Sequence, residues 1–79
     1  MIYKTTDIVA AATLLLFNAQ LQNIEVSGRK GTFVLDQVEQ SRVDDFILGK
    51  LAVEPIRFHA TVRFLSAAVN KAADARGKG

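Results

Sequence analysis

Hydrophobic and polar positions along this chain change their period several times, and each change marks an element. From Ile8 to Phe17 ("IVAAATLLLF") almost every position is apolar. Thr6 is a suitable N-cap and Asp7 suits the positive end of a helix dipole, so a first helix is predicted from about Asp7 to Asn18. At ~100° per residue, Ile8, Ala11 and Leu15 share one face, Val9, Ala12 and Leu16 the next, and Ala10, Leu14 and Phe17 a third. A helix apolar all round is buried on most sides, and a small chain can cover about two of these faces. The remaining face is a candidate subunit interface unless the hairpin and the other helices cover it too.

Further on the period falls to two. Ile24 and Val26 alternate with Asn23 and Glu25; Phe33 and Leu35 alternate with Thr32 and Val34. This is the pattern of a β-hairpin, "LQNIEVSG" and "GTFVLD", with one face inward. A lone hairpin is unstable in water, so helices must pack on it. Its connection, "SGRKG", sets Arg29 and Lys30 between two glycines. It reads first as a turn with charged exposed positions, and second as a basic finger for phosphate.

The helical period then returns. "DQVE", Asp36 to Glu39, has the form of a capping box, and a second helix is predicted from there to about Leu48, with Val43, Phe46 and Ile47 inward and Gly49 as its stop. "LAVEP" is an extended link, because the residue before Pro55 is pushed away from helical angles. Pro55 suits the first position of a third helix running to about Ala73. On that helix Phe58, Val62, Leu65, Val69 and Ala72 make one apolar stripe; Ile56, Ala60, Phe64 and Ala67 make a second strip on the other side; His59, Arg63, Ser66 and Asn70 form a polar edge between them. The expected architecture is a single small α+β domain over residues 1–73, in the order helix, strand, strand, helix, helix, with the hairpin packed on the helices. Residues 74–79 are expected as a frayed basic tail.

Composition narrows this. Of 79 residues 49% are hydrophobic, with one Pro and five Gly, a globular balance. There is no Cys, which removes disulfides and thiolate metal sites and fits a reducing cytoplasm. The net charge of +2 neither demands nor excludes a nucleic-acid partner. "MIYKTTD" lacks the order of a signal peptide, and the apolar run Ile8 to Phe17 falls short of the ~20 residues that span a bilayer. A soluble cytoplasmic protein with no membrane partner is expected.

Four stretches carry a resemblance. "YKTTDIVAAATLL" (Tyr3 to Leu15), "LQNIEVSGRKGTFVLD" (Leu21 to Asp36), "VDDFILGKLAVEPIRF" (Val43 to Phe58) and "FLSAAV" (Phe64 to Val69) together resemble a family of small bacterial and phage domains of unknown function. The resemblance covers about residues 1 to 70, and its specificity lies in the ordered combination. The family often has an aromatic just before the glycine, where this chain has Ile47 and Leu48, and a more basic last helix. What the resemblance implies is the order of elements and a phage or mobile-element setting; it supplies no catalytic residues.

The residues themselves offer little chemistry. His59 is the one histidine and has no spaced carboxylates around it. Asp44 and Asp45 are adjacent on a helix and point ~100° apart, so they do not oppose each other across a substrate. Ser27, Ser41 and Ser66 lack a nucleophile elbow. Gly28 and Gly31 precede a strand, not the helix a phosphate loop needs. No catalytic residues, metal, cofactor or small-molecule substrate are expected. The reading is a non-enzymatic interaction domain of phage or mobile-element origin that binds a macromolecule as a homodimer or through an unidentified protein. Helix one or the strip Ile56, Ala60, Phe64, Ala67 would serve as its interface. The alternatives are a nucleic-acid-binding accessory protein or regulator using Arg29, Lys30, Arg63 and Lys71, and a phage-encoded inhibitor of a host defence protein.

Overall fold

Among the described residues, three strands and three helices follow one another as β1 (Tyr3–Thr5), α1 (Ile8–Leu16), β2 (Gln20–Ser27), β3 (Lys30–Asp36), α2 (Gln40–Ile47) and α3 (Pro55–Gly77). The structure is a computed structural model that describes residues 1–28 and 30–77, with side chains as far as Ala75. The domain is α+β, as the periodicity implied, but it opens on a strand. β1 is three residues long and reads "YKT", too short to show an alternation of its own. It pairs antiparallel with β3, Tyr3 opposite Leu35 and Thr5 opposite Phe33. The hairpin becomes a three-stranded sheet of order β1-β3-β2.

Register decides which face is covered. Ile24 stands opposite Phe33, Val26 opposite Gly31 and Leu21 opposite Leu35, with a bulge between Leu21 and Asn23. These side chains and those of Tyr3 share the face on which Ala11, Ala12, Leu14, Val43 and Leu65 build the core. All three helices contribute to that one side. The other face carries Lys4, Asn23, Glu25, Thr32 and Val34. Val34 is nonetheless only 6% exposed. Lys4 and Asn23 are its register partners, and a Lys4 Nζ–Glu25 Oε1 ion pair of 3.1 Å crosses the central strand beside it. The aliphatic stems of such a pair can lie along apolar surface while their charged ends stay in water.

The helix termini follow local chemistry. Asp7, not Thr6, caps α1: its Oδ1 accepts from the backbone N–H of Val9 at 2.9 Å and of Ala10 at 3.3 Å. α1 closes on Asn18 at φ 74, with the Ala19 N–H donating to Leu14 O at 3.1 Å, the left-handed stop that Asn tolerates. The capping box at Asp36–Glu39 does not form. Asp36 is still the last residue of β3, opposite Gln20, and its Oδ1 takes the Gln37 N–H at 2.7 Å. Val38 N–H donates to Met1 O at 3.1 Å, so the chain leaves the sheet two residues later than the motif needs. α2 therefore starts at Gln40, with Glu39 in the cap position making no side-chain cap bond. Its end is as expected: Gly49 has φ 69, and the N–H groups of Gly49 and Lys50 donate to Phe46 O and Asp45 O at 3.0 and 2.8 Å, a Schellman closure. α3 begins at Pro55 behind a cap that the periodicity does not reveal. Glu54 accepts from Ile56 N–H at 3.0 Å and Arg57 N–H at 2.7 Å. The helix continues to Gly77, so the boundary expected at residue 73 falls inside it; residues 78 and 79 lie outside the described residues.

Candidate interaction surface

α3 has two apolar faces and the fold uses one. Phe58, Val62, Leu65 and Val69 pack into the core, with Leu65 wholly buried. At ~100° per residue the strip Ile56, Ala60, Phe64, Ala67 is centred nearly opposite that stripe. All four residues are exposed, and the two large ones heavily so: Ile56 is 79% and Phe64 59% accessible. Arg63 lies on the same outer face, and Lys71 continues it one turn past Ala67; both are exposed.

α1 is different. Ala10 to Leu14 are buried, and the sheet, α2 and α3 close around the helix, leaving Val9 as its exposed large apolar residue. Most of helix one is therefore covered, with Val9 exposed and Ile8, Leu15 and Leu16 half-buried.

A second exposed apolar feature lies where it was not expected. Ile47, read from the sequence as an inward residue of helix two, is 71% accessible, and Leu48 is 65% accessible. The Arg42 guanidinium stacks 4.9 Å from the Phe17 ring centroid. Val43 is the α2 residue built into the core, and Ile47, one turn further toward the C-terminal end of the helix, lies past the covered part. Asp44, Ile47 and Leu48, spaced i, i+3 and i+4, then share an outward face.

The candidate cations are spread. Ser27 stands opposite Lys30 at the end of the hairpin register. Gly28 has φ 62, the sign a tight hairpin turn requires. Arg29 lies outside the described residues. Gly28 lies in a turn, and Lys30 is the exposed first residue of β3. The tip is fixed by Gly31 against Val69. Lys71 is two residues on, ~160° round α3 from Val69. Lys30 and Lys71 thus face opposite sides of the helix, and the fold does not gather Lys30, Arg63 and Lys71 on one surface.

No family model, no curated protein and no solved structure matches this chain. Its function has to be argued from its own surface.

Among the described residues, no group of three His, Asp or Glu side chains is close enough to hold a metal ion, and no helix is long and apolar enough to cross a membrane. His59 is exposed. Asp44 is also exposed, and its Oδ1 accepts from Gln40 Nε2 at 3.0 Å. A depression of about 560 Å³ between β2 and α3 is lined by Ile24, Glu25, Val26, Ser27, Thr32 and Ala72. Among the described residues its ionisable lining group is Glu25, which is paired with Lys4. A depression of about 120 Å³ beside Phe17 and Val53 contains Glu54 and Arg57. Accepting the Arg57 and Ile56 backbone N–H groups, with the Arg57 charge nearby, holds the Glu54 carboxyl below its ordinary value. That carboxylate serves as a helix cap.

Proposed function

We propose that this protein is a non-enzymatic interaction domain that binds another macromolecule through the outer face of α3, with a second copy of itself as the first partner. One observation carries the reading. Ile56 and Phe64 are presented to solvent on the far side of a helix whose opposite stripe already completes the core. Such a strip has no role in the domain's own packing, and contiguous exposed apolar surface marks interaction sites.

Magnitudes limit what the strip achieves alone. Burying an Ile or Phe side chain contributes roughly 1.5–3 kcal/mol, while association costs about 4–15 kcal/mol. A twofold pair joined by Ile56 and Phe64 alone gains roughly 6–12 kcal/mol against that cost, so the dimer is micromolar at its tightest. The family resemblance adds a phage or mobile-element setting to the proposal.

Sedimentation velocity tests it between about 1 μM and about 1 mM, the range bracketing roughly −8 to −4 kcal/mol. A mass rising toward two copies, abolished by Phe64→Asp, supports the reading. A single copy throughout overturns self-association. The nucleic-acid reading rests on the exposed Lys30, Arg63 and Lys71 and ranks second because Lys30 lies on the hairpin, apart from Arg63 and Lys71 on the outer face of α3. Fluorescence anisotropy with labelled DNA and RNA across a salt series tests it, with steep salt dependence as its signature.

A further inference from the structure

We infer that the occupant of the α3 strip is the α2 corner of a second copy: Ile47 and Leu48 of one chain seat between Ile56 and Phe64 of the other, with Asp44 facing Arg63. The inference rests on the proposed use of α3 and names the surface that meets it.

Charge chooses between two self-pairings. The outer face of α3 carries Arg57, Arg63 and Lys71 against Asp74 alone, all exposed. Laying two such faces together sets like charges side by side, and opposed like charges disfavour a partner. The outward face of α2 carries one charge of the opposite sign: the exposed Asp44 lies one turn before Ile47 and Leu48, while Glu39, at the cap position, lies round the helix toward its covered side. The exposed Lys50 follows beyond the Gly49 turn. Asp44 is the group that an Arg63 across the interface would meet.

Shape agrees. Ile56, Ala60 and Phe64 form an i, i+4, i+8 ridge in which the small Ala60 leaves a dip between two large side chains. Ala67 leaves a second dip beyond Phe64. Branched residues on a facing helix fill such dips when ridges pack into grooves. Ile47 and Leu48 are branched, adjacent and largely exposed. Each chain owns one corner and one strip, so a twofold arrangement that engages both at once closes at two copies, and sedimentation equilibrium distinguishes that closed pair from the longer assemblies a head-to-tail contact would build.

The test is a charge exchange in the full chain, read by sedimentation equilibrium. Asp44→Arg and Arg63→Asp alter exposed side chains, and circular dichroism checks that each variant folds. Each single variant is expected to weaken the dimer roughly tenfold, and the double variant to return it to within about threefold of wild type, the behaviour of directly coupled residues. Leu48→Ser is expected to weaken it as well. Single variants without effect, or a double variant no better than the singles, overturn the α2 corner as occupant. If Phe64→Asp still abolishes the dimer in that case, the α3 strip stands as the interface and only its occupant is wrong. If Phe64→Asp leaves the dimer intact, the α3 reading falls with it.

Discussion

Gly31 lies directly beneath Val69, so close that a methyl group on Gly31 would stand 2.9 Å from Val69 Cγ1 and 3.1 Å from Cγ2. The missing side chain lets α3 settle on the hairpin. Gly28 is set by a different demand. Its φ of 62 is what the turn requires, and nothing lies within 4 Å of where its Cβ would be.

Gly31→Ala is expected to destabilise the fold by about 1–3 kcal/mol, the range for overpacking a filled site. Val is stiff at χ1 on a helix, so Val69 has little room to move aside. Urea denaturation of Gly31→Ala, Val69→Ala and the double variant checks this. The double variant should cost less than the two singles added, because shortening Val69 removes the clash.

Leu65 and Phe64 are neighbours with opposite roles. Leu65 is wholly buried in the core, and Leu65→Ala should cost about 2–5 kcal/mol, much of the stability of a small domain. Phe64→Asp, one residue away on the exposed side, should change stability by no more than about 0.5 kcal/mol while abolishing self-association. Denaturation midpoints and sedimentation on the same samples separate the two effects.

The Glu54 cap gives an acid-limb prediction. Its folded carboxyl titrates below the ordinary value of 4.5 because it accepts the Arg57 and Ile56 N–H groups. A carboxyl depressed on folding contributes stability that is complete above its unfolded value and is lost as pH falls through its folded value. Stability should therefore drop below about pH 4.5, and Glu54→Gln should show a smaller drop there than wild type. Denaturation midpoints of both proteins between about pH 7 and pH 3 measure the difference.

Much of the fold was legible because period and punctuation agreed. The alternation around Ile24, Val26, Phe33 and Leu35, the stop at Gly49, the start at Pro55 and the stripe through Leu65 all stand in the structure. The features that local pattern does not carry depend on partners distant in sequence. β1 exists because Tyr3 and Thr5 meet Leu35 and Phe33. The Asp36 motif fails because β3 still holds that residue. The strip on α3 was visible from spacing alone. The exposure of Ile47 was not, because how far along α2 the core reaches depends on partners distant in sequence: Val43 is in the core and Ile47, one turn on, is exposed.

The most direct measurement of the central claim is a dilution series of amide NMR spectra from about 1 mM to about 20 μM, a span covering weak association. Shifts that move with concentration and map to Ile56, Ala60, Phe64 and Ala67 are the expected result. Spectra that do not change, or changes confined to residues away from α3, would contradict it.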